Sequence, residues 1–403
     1  MFASTRRSFV AASVAASLLA LVAAPTLAAD AWSQQGGNAG ATSHNADQSV
    51  LGPGNLAELT ERWARDLDVW NQATEVAIAD GQVYVTRRLA DPDTTIRTQL
   101  LRLDLATGAT IWKANAPDSF ATPLLTSDLV IVAGNGGDSG ATATPVQAFE
   151  RSTGKRRWQH RLAGAYNTLT SPHLMDGVVY LAASEGEVMA LDAGTGAVLW
   201  KRKVDLGCCG VNAMAVGGGV VVVAEFYGLV ALDPADGHER WRYLMPAGQL
   251  LVKRPLVVGD TALAFDGIGN VHAIDAATGS LRWERPTPRG DLAVATDALA
   301  SDGLRVYALN GAGRATLSAL DLATGDTLWS TRAGAASHDL VVSNGVLYMA
   351  NERRILAFDP ATGASLPIAE IKPTTRWGDL AIAQGHLVMS GGPVRAFGLP
   401  AAR

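Results

Sequence analysis

The chain predicts an all-β, eight-bladed β-propeller closed by an N-terminal strand that completes the last blade, and three observations carry that prediction. The first is a unit present seven times, in which a carboxylate is followed four residues later by glycine and, in six copies, eight residues later by tryptophan. The copies are Asp104/Gly108/Trp112, Glu150/Gly154/Trp158, Asp192/Gly196/Trp200, Asp233/Gly237/Trp241, Asp275/Gly279/Trp283, Asp321/Gly325/Trp329 and Asp359/Gly363, the last with Pro367 in the tryptophan position. The second is the spacing of consecutive tryptophans, 46, 42, 41, 42 and 46 residues, which lies in the period range of propeller blades. The third is a mismatch at the two ends. The last repeat stops at Arg403 without an outer strand, while Leu59–Trp63 precedes the first repeat and carries an unpaired tryptophan.

Taken in chain order, residues 1–28 read as an export signal. Arg6 and Arg7 precede an apolar run from Val10 to Ala24, and Thr26-Leu27-Ala28 offers a small-residue cleavage site before Ala29. Thr5–Val10 also resembles the twin-arginine export signature, leaving that route and the general secretory route both open. The run is short for a membrane span, so the mature chain is expected to carry no transmembrane segment and to be periplasmic or secreted. Residues 29–58 form a lead-in, and 59–403 form the propeller.

Each repeat has a readable local physics. In Ala190–Trp200 a strand ends at Asp192, whose side chain can accept from backbone amides just ahead, and Gly196 supplies the positive φ of a tight hairpin. The next strand delivers the indole. One small sheet cannot bury so large a ring by itself, so each tryptophan is expected to pack on the neighbouring blade, and circular closure removes the two sticky ends an open array would leave. The strands that open the eight blades align at Glu75, Thr122, Ser171, Asn212, Arg254, Asp291, Asp339 and Asp379.

A net charge of −5 with no basic stripe leaves nothing to neutralise phosphates and argues against a nucleic-acid partner. The seven histidines share no ligand spacing, and Gly217-Gly218-Gly219 reads as a hairpin turn, not a phosphate loop. Cys208 and Cys209 are the sole cysteines, adjacent and flanked by glycines. Export favours a bond between them. Neighbouring α-carbons lie about 3.8 Å apart where disulfides usually want about 4.4 Å or more, so such a ring would be strained, and the other reading is two thiols in a turn or thiols paired between molecules.

In a propeller the innermost strands line the channel, so the eight opener residues should ring its mouth. Glu75, Asp291, Asp339 and Asp379 fall on consecutive blades and form an acidic arc, faced by Thr122, Ser171, Asn212 and Arg254. Like charges on one rim repel unless a cation, Arg254 or backbone donors compensate, and some of their pKa values should rise. Trp70 and Trp377 fall in the loops entering blades one and eight; an aromatic wall beside carboxylates suits a hard cation or a cationic ligand. The plainer reading is that these polar residues satisfy backbone amides of the inner strands. The candidate ligand-binding set is thus Glu75, Asn212, Arg254, Asp291, Asp339, Asp379, Trp70 and Trp377, with catalytic and metal residues left open.

The unit Ala273-Ile-Asp275-Ala-Ala-Thr-Gly279-Ser-Leu-Arg-Trp283 and the lead-in Trp32–Asn38 resemble the tryptophan-docking repeats of the pyrroloquinoline-quinone (PQQ) propeller superfamily, across nearly the whole mature chain. One branch, the quinoprotein dehydrogenases, implies PQQ and calcium on the channel axis, with a vicinal disulfide stacked on the quinone; Cys208-Cys209, Asn212 and the Asp291/Asp339/Asp379 arc are similar in kind. Arg254 stands where that branch has an acidic opener, and the chain lacks the large insertions of those enzymes. The other branch, BamB-type outer-membrane assembly scaffolds, implies no cofactor and a protein partner at exposed loops. Size and compact blades favour the second: an exported, non-catalytic binding or scaffold propeller taking a protein or small ligand at the channel mouth, with a PQQ- and calcium-dependent dehydrogenase of alcohols or sugars as the alternative.

Overall fold

A computed structural model describes residues 27–67, 75–89, 97–119, 121–134, 143–163, 169–183, 186–205, 213–246, 249–251, 254–288, 298–311, 314–334, 339–350, 354–371, 379–390 and 393–400. Its strands form eight sheets, antiparallel throughout except where His44–Asn45 of the lead-in adds in parallel to the inner strand of blade 7. Blade 3 is representative: His173–Met175, Val178–Ala182, Glu187–Asp192 and Val198–Lys203 follow one another outward from the channel. The eighth sheet has the order predicted from the two loose ends. Leu380–Ala383, His386–Met389 and Val394–Gly398 are its inner three strands, and Thr60–Arg65 pairs antiparallel with the third, Trp63 opposite Ala396. The inner strand of blade 8 also touches that of blade 1, Ala77–Ala79, so the ring is closed.

The repeat unit works between blades, not within them. Each indole lies over the positive-φ glycine of the next blade and donates to a carbonyl just before it. Trp158 Nε1 reaches the Ala193 carbonyl at 3.0 Å while its ring covers Gly196, and Trp241 reaches Ala276 at 2.8 Å over Gly279. Trp63 makes the same contact across the closing seam, to Leu105 at 2.7 Å over Gly108. Glycine is required twice over: φ is +72° at Gly196, and a Cβ there would stand 2.5 Å from the indole. The arrangement also explains Pro367. Blade 8 takes its outer strand from the N-terminus, so it has no Asp-to-Gly hairpin for a tryptophan of blade 7 to cover. Aliphatic side chains of adjacent sheets fill the space between blades, as where Val179, Leu181 and Leu191 of blade 3 meet Leu124 and Ile131 of blade 2.

The lead-in runs inside the ring. From Asp30 to Asn45 it touches the inner strand of each of the eight blades in turn, and every residue of this stretch is buried or half-buried.

Candidate functional site

The rim residues sit one or two positions ahead of the first inner-strand residue of their blades: Glu75 before Ala77, Thr122 before Leu124, Ser171 before His173, Arg254 before Leu256, Asp339 before Leu340 and Asp379 before Leu380. Short inner strands leave these positions at the edge of the channel, where a side chain can reach inward or across.

Arg254 reaches across. Blades 1 and 5 are opposite one another in a ring of eight, yet Arg254 Nη1 donates to Glu75 Oε1 at 3.2 Å. Its Nη2 donates to Ser43 Oγ of the lead-in at 2.7 Å. Glu75 also accepts from Thr122 Oγ1 at 2.9 Å and, at the long distance of 3.5 Å, from Gln35 Nε2. The chain of bonds continues along the rim, since the Thr122 amide donates to Ser171 Oγ at 3.1 Å. One carboxylate of the arc is therefore neutralised by the guanidinium from the far side.

Asp339 is placed differently. It is 8% exposed, and its Oδ2 accepts from the Leu380 amide at 2.8 Å. Burial pushes its carboxyl up to about 7, with Glu75 adding to the rise and Arg254 and the Leu380 and Leu340 amides opposing it. Asp379, on the adjacent blade, accepts from the Ser390 amide through its backbone carbonyl at 3.0 Å. Asn212, Asp291, Trp70, Trp377, Cys208 and Cys209 lie outside the described residues. Among the described residues no three His, Cys, Asp or Glu side chains converge as a metal-ligand group.

Two features escaped the sequence reading. Gln35 and Ser43 belong to a stretch with no repeat register, so nothing marked them as neighbours of the rim. His173 stands where other blades have Ala77, Leu124, Ala215, Leu256, Val341 and Ala381, and it is fully buried. Neither of its ring nitrogens makes a hydrogen bond of good geometry. Burial pushes the imidazole down to about 3, Arg254 adding to the fall and the Ala39 backbone opposing it. Comparing the openers plus two across blades would have found it as the one polar residue in an apolar row.

The family model for outer membrane protein assembly factor BamB matches residues 52–163 and 142–367. BamB of Yersinia pestis is 30% identical over 342 residues, covering 81% of this chain and 76% of that protein. Among solved structures, quinohemoprotein alcohol dehydrogenase from Comamonas testosteroni superposes with a TM-score of 0.68 at 15% identity, over 93% of this chain and 81% of that one. BamB from Moraxella catarrhalis superposes with a TM-score of 0.60 at 15% identity, over 84% and 99%. Such identities carry the fold alone, but the family model and the Yersinia relative span most of the propeller, and the chain belongs to the BamB family of PQQ-like β-propellers.

Proposed function

We propose that this is an exported binding propeller that receives a cationic group, an amine or guanidinium of a protein partner, at the acidic side of its channel mouth. The observation that carries the reading is the placement of three carboxylates at one side of the mouth: Glu75, Asp339 and Asp379 stand at the inner-strand entries of the consecutive blades 1, 7 and 8, and burial holds the Asp339 carboxyl up at about 7. A cation arriving beside Asp339 would favour its charged form and draw off the proton that burial retains. The signal-like residues 1–28 and the membership in a family of outer-membrane assembly factors support export and a protein partner. Among the described residues no helix is long and apolar enough to cross a membrane.

The test is calorimetric titration with arginine ethyl ester at pH 7 in two buffers of different ionisation heat. Binding with proton release, weakened in Asp339→Asn, is the expected result; absence of binding removes the reading.

A PQQ- and calcium-dependent dehydrogenase is the second reading, because the propeller fold is shared with the quinohemoprotein as well as with BamB. The described rim residues do not fit that pair of groups. Calcium asks for six to eight oxygens, whereas Glu75 is held by Arg254 and Thr122, and Asp339 is turned to backbone amides. The remaining candidates for that role, Asn212, Asp291 and the cysteine pair, lie outside the described residues. Adding PQQ and calcium with an alcohol and a dye acceptor separates the readings: a bound chromophore and dye reduction would establish the dehydrogenase.

A further inference from the structure

The lead-in makes an unusual set of contacts with the propeller. The Ile78 amide of blade 1 donates to the Trp32 carbonyl at 2.8 Å, and Leu125 of blade 2 to Ser33 at 2.8 Å. Leu174 of blade 3 donates to Gln34 Oε1 at 2.7 Å. Val216 of blade 4 donates to Ala39, Val257 of blade 5 to Gly40, Ser301 of blade 6 to Thr42 and Val342 of blade 7 to Ser43, all at 2.8 or 2.9 Å. Asn45 Nδ2 completes the circuit on the Ile382 carbonyl of blade 8 at 2.8 Å. The two ends then clasp: Asn45 Nδ2 also donates to Asp30 Oδ1 at 2.8 Å, and Asp30 Oδ2 accepts from the Gln384 amide at 2.8 Å.

This circuit is filled, not hollow. Ser43 N donates to the Gly36 carbonyl at 2.9 Å, folding the segment back on itself, and Asn38 braces the fold by donating to Thr42 Oγ1 at 2.6 Å and to the His44 carbonyl at 3.2 Å. The close packing shows in the glycines: a Cβ on Gly36 would stand 2.7 Å from the Ala41 backbone and one on Gly40 2.1 Å from the Val257 carbonyl. Ala41 and Ser43 adopt φ of 54° and 53°, a left-handed backbone that non-glycine residues hold only where surroundings dictate it. In blades 1, 2, 3, 5, 7 and 8 the contacts fall three residues beyond the rim positions, roughly 10 Å along the inner strand.

We infer that Asp30–Asn45 is a closing strap that seals one end of the channel and, through Ser43 and Gln35, sets the Arg254–Glu75 ion pair from below. The channel is then a blind cup whose contents exchange only past the rim, and the strap is held as one cooperative unit by its clasp. Both statements stand whatever the mouth binds.

Native-state hydrogen exchange of the unmodified protein in rising denaturant, read by mass spectrometry, tests this. Peptides containing Ile78, Leu125, Val216, Val257, Ser301 and Val342 should lose protection together, at lower denaturant than third-strand peptides containing Ala190, Ala231 or Ala273. Asp30→Ala should then speed exchange of all six inner-strand peptides, by about tenfold or more, and leave the third strands unchanged. If each inner strand opens with its own blade, or if Asp30→Ala affects blades 1 and 8 alone, the strap is not a unit and the inference fails. Should Asp30→Ala not fold, the denaturant series on the unmodified protein decides.

Discussion

Gly196→Ala measures how much the ring depends on one blade covering the hairpin of the next. Two penalties are expected. The backbone is left-handed there, at φ +72°, which costs an L-residue about 1–2 kcal/mol. The new methyl would also stand 2.5 Å from Trp158 Cε3 and 2.6 Å from Cδ2, where carbon atoms prefer about 3.5–4.0 Å, so the indole must retreat by about 1 Å. That movement weakens the Trp158–Ala193 hydrogen bond, worth about 1 kcal/mol, and loosens the packing around a side chain only 9% exposed, for about 1–3 kcal/mol more. Gly177→Ala carries the first penalty alone, because Gly177 has φ +77° and nothing within 4 Å of its Cβ position, so the difference between the two variants isolates the second. Equilibrium urea unfolding followed by tryptophan fluorescence should place Gly196→Ala at least about 2 kcal/mol below Gly177→Ala. Equal losses would show that the glycine serves only the turn, and the account of blade-to-blade docking would be wrong.

Other outcomes follow from the channel. Because the folded protein holds the Asp339 carboxyl up at about 7 against an ordinary 3.8, this group's contribution to stability is full below pH 4 and is lost as pH rises to 7; Asp339→Asn should flatten that part of a melting-temperature profile. Arg254→Ala should raise the Asp339 midpoint further and Glu75→Gln should lower it, both read by carbon-13 NMR of the carboxyl; the opposite signs would dissociate these residues. His173, neutral in the fold with its imidazole pushed to about 3, weakens the protein as pH falls below 6.5; His173→Leu should therefore melt higher than the parent at pH 4.5 and gain less at pH 7. If Cys208 and Cys209 are bonded to each other, unreduced protein will take up no alkyl groups in a mass measurement, and uptake of two would disprove the bond.

The sequence by itself determined the architecture, because the repeat encodes contacts between equivalent units: Gly196, Trp158 and the carbonyl of Ala193 recur at a period no other arrangement would satisfy, and the unpaired Trp63 required the ends to meet. It also put Glu75, Thr122, Ser171, Arg254, Asp339 and Asp379 at the entries to their inner strands, whereas in blade 6 the described inner strand begins at Ala298, well beyond the expected opener Asp291. Partnership across the channel was decided only by the tertiary structure. That Arg254 spans to Glu75 on the opposite blade, that Asp339 turns instead to backbone amides, and that Ser43 and Gln35 rise from the lead-in to meet the ion pair all depend on distances over an axis that the chain does not cross locally. A periodic sequence specifies what its units do to their neighbours. What meets in the middle depends on the closed radius and on a strap whose own sequence does not repeat.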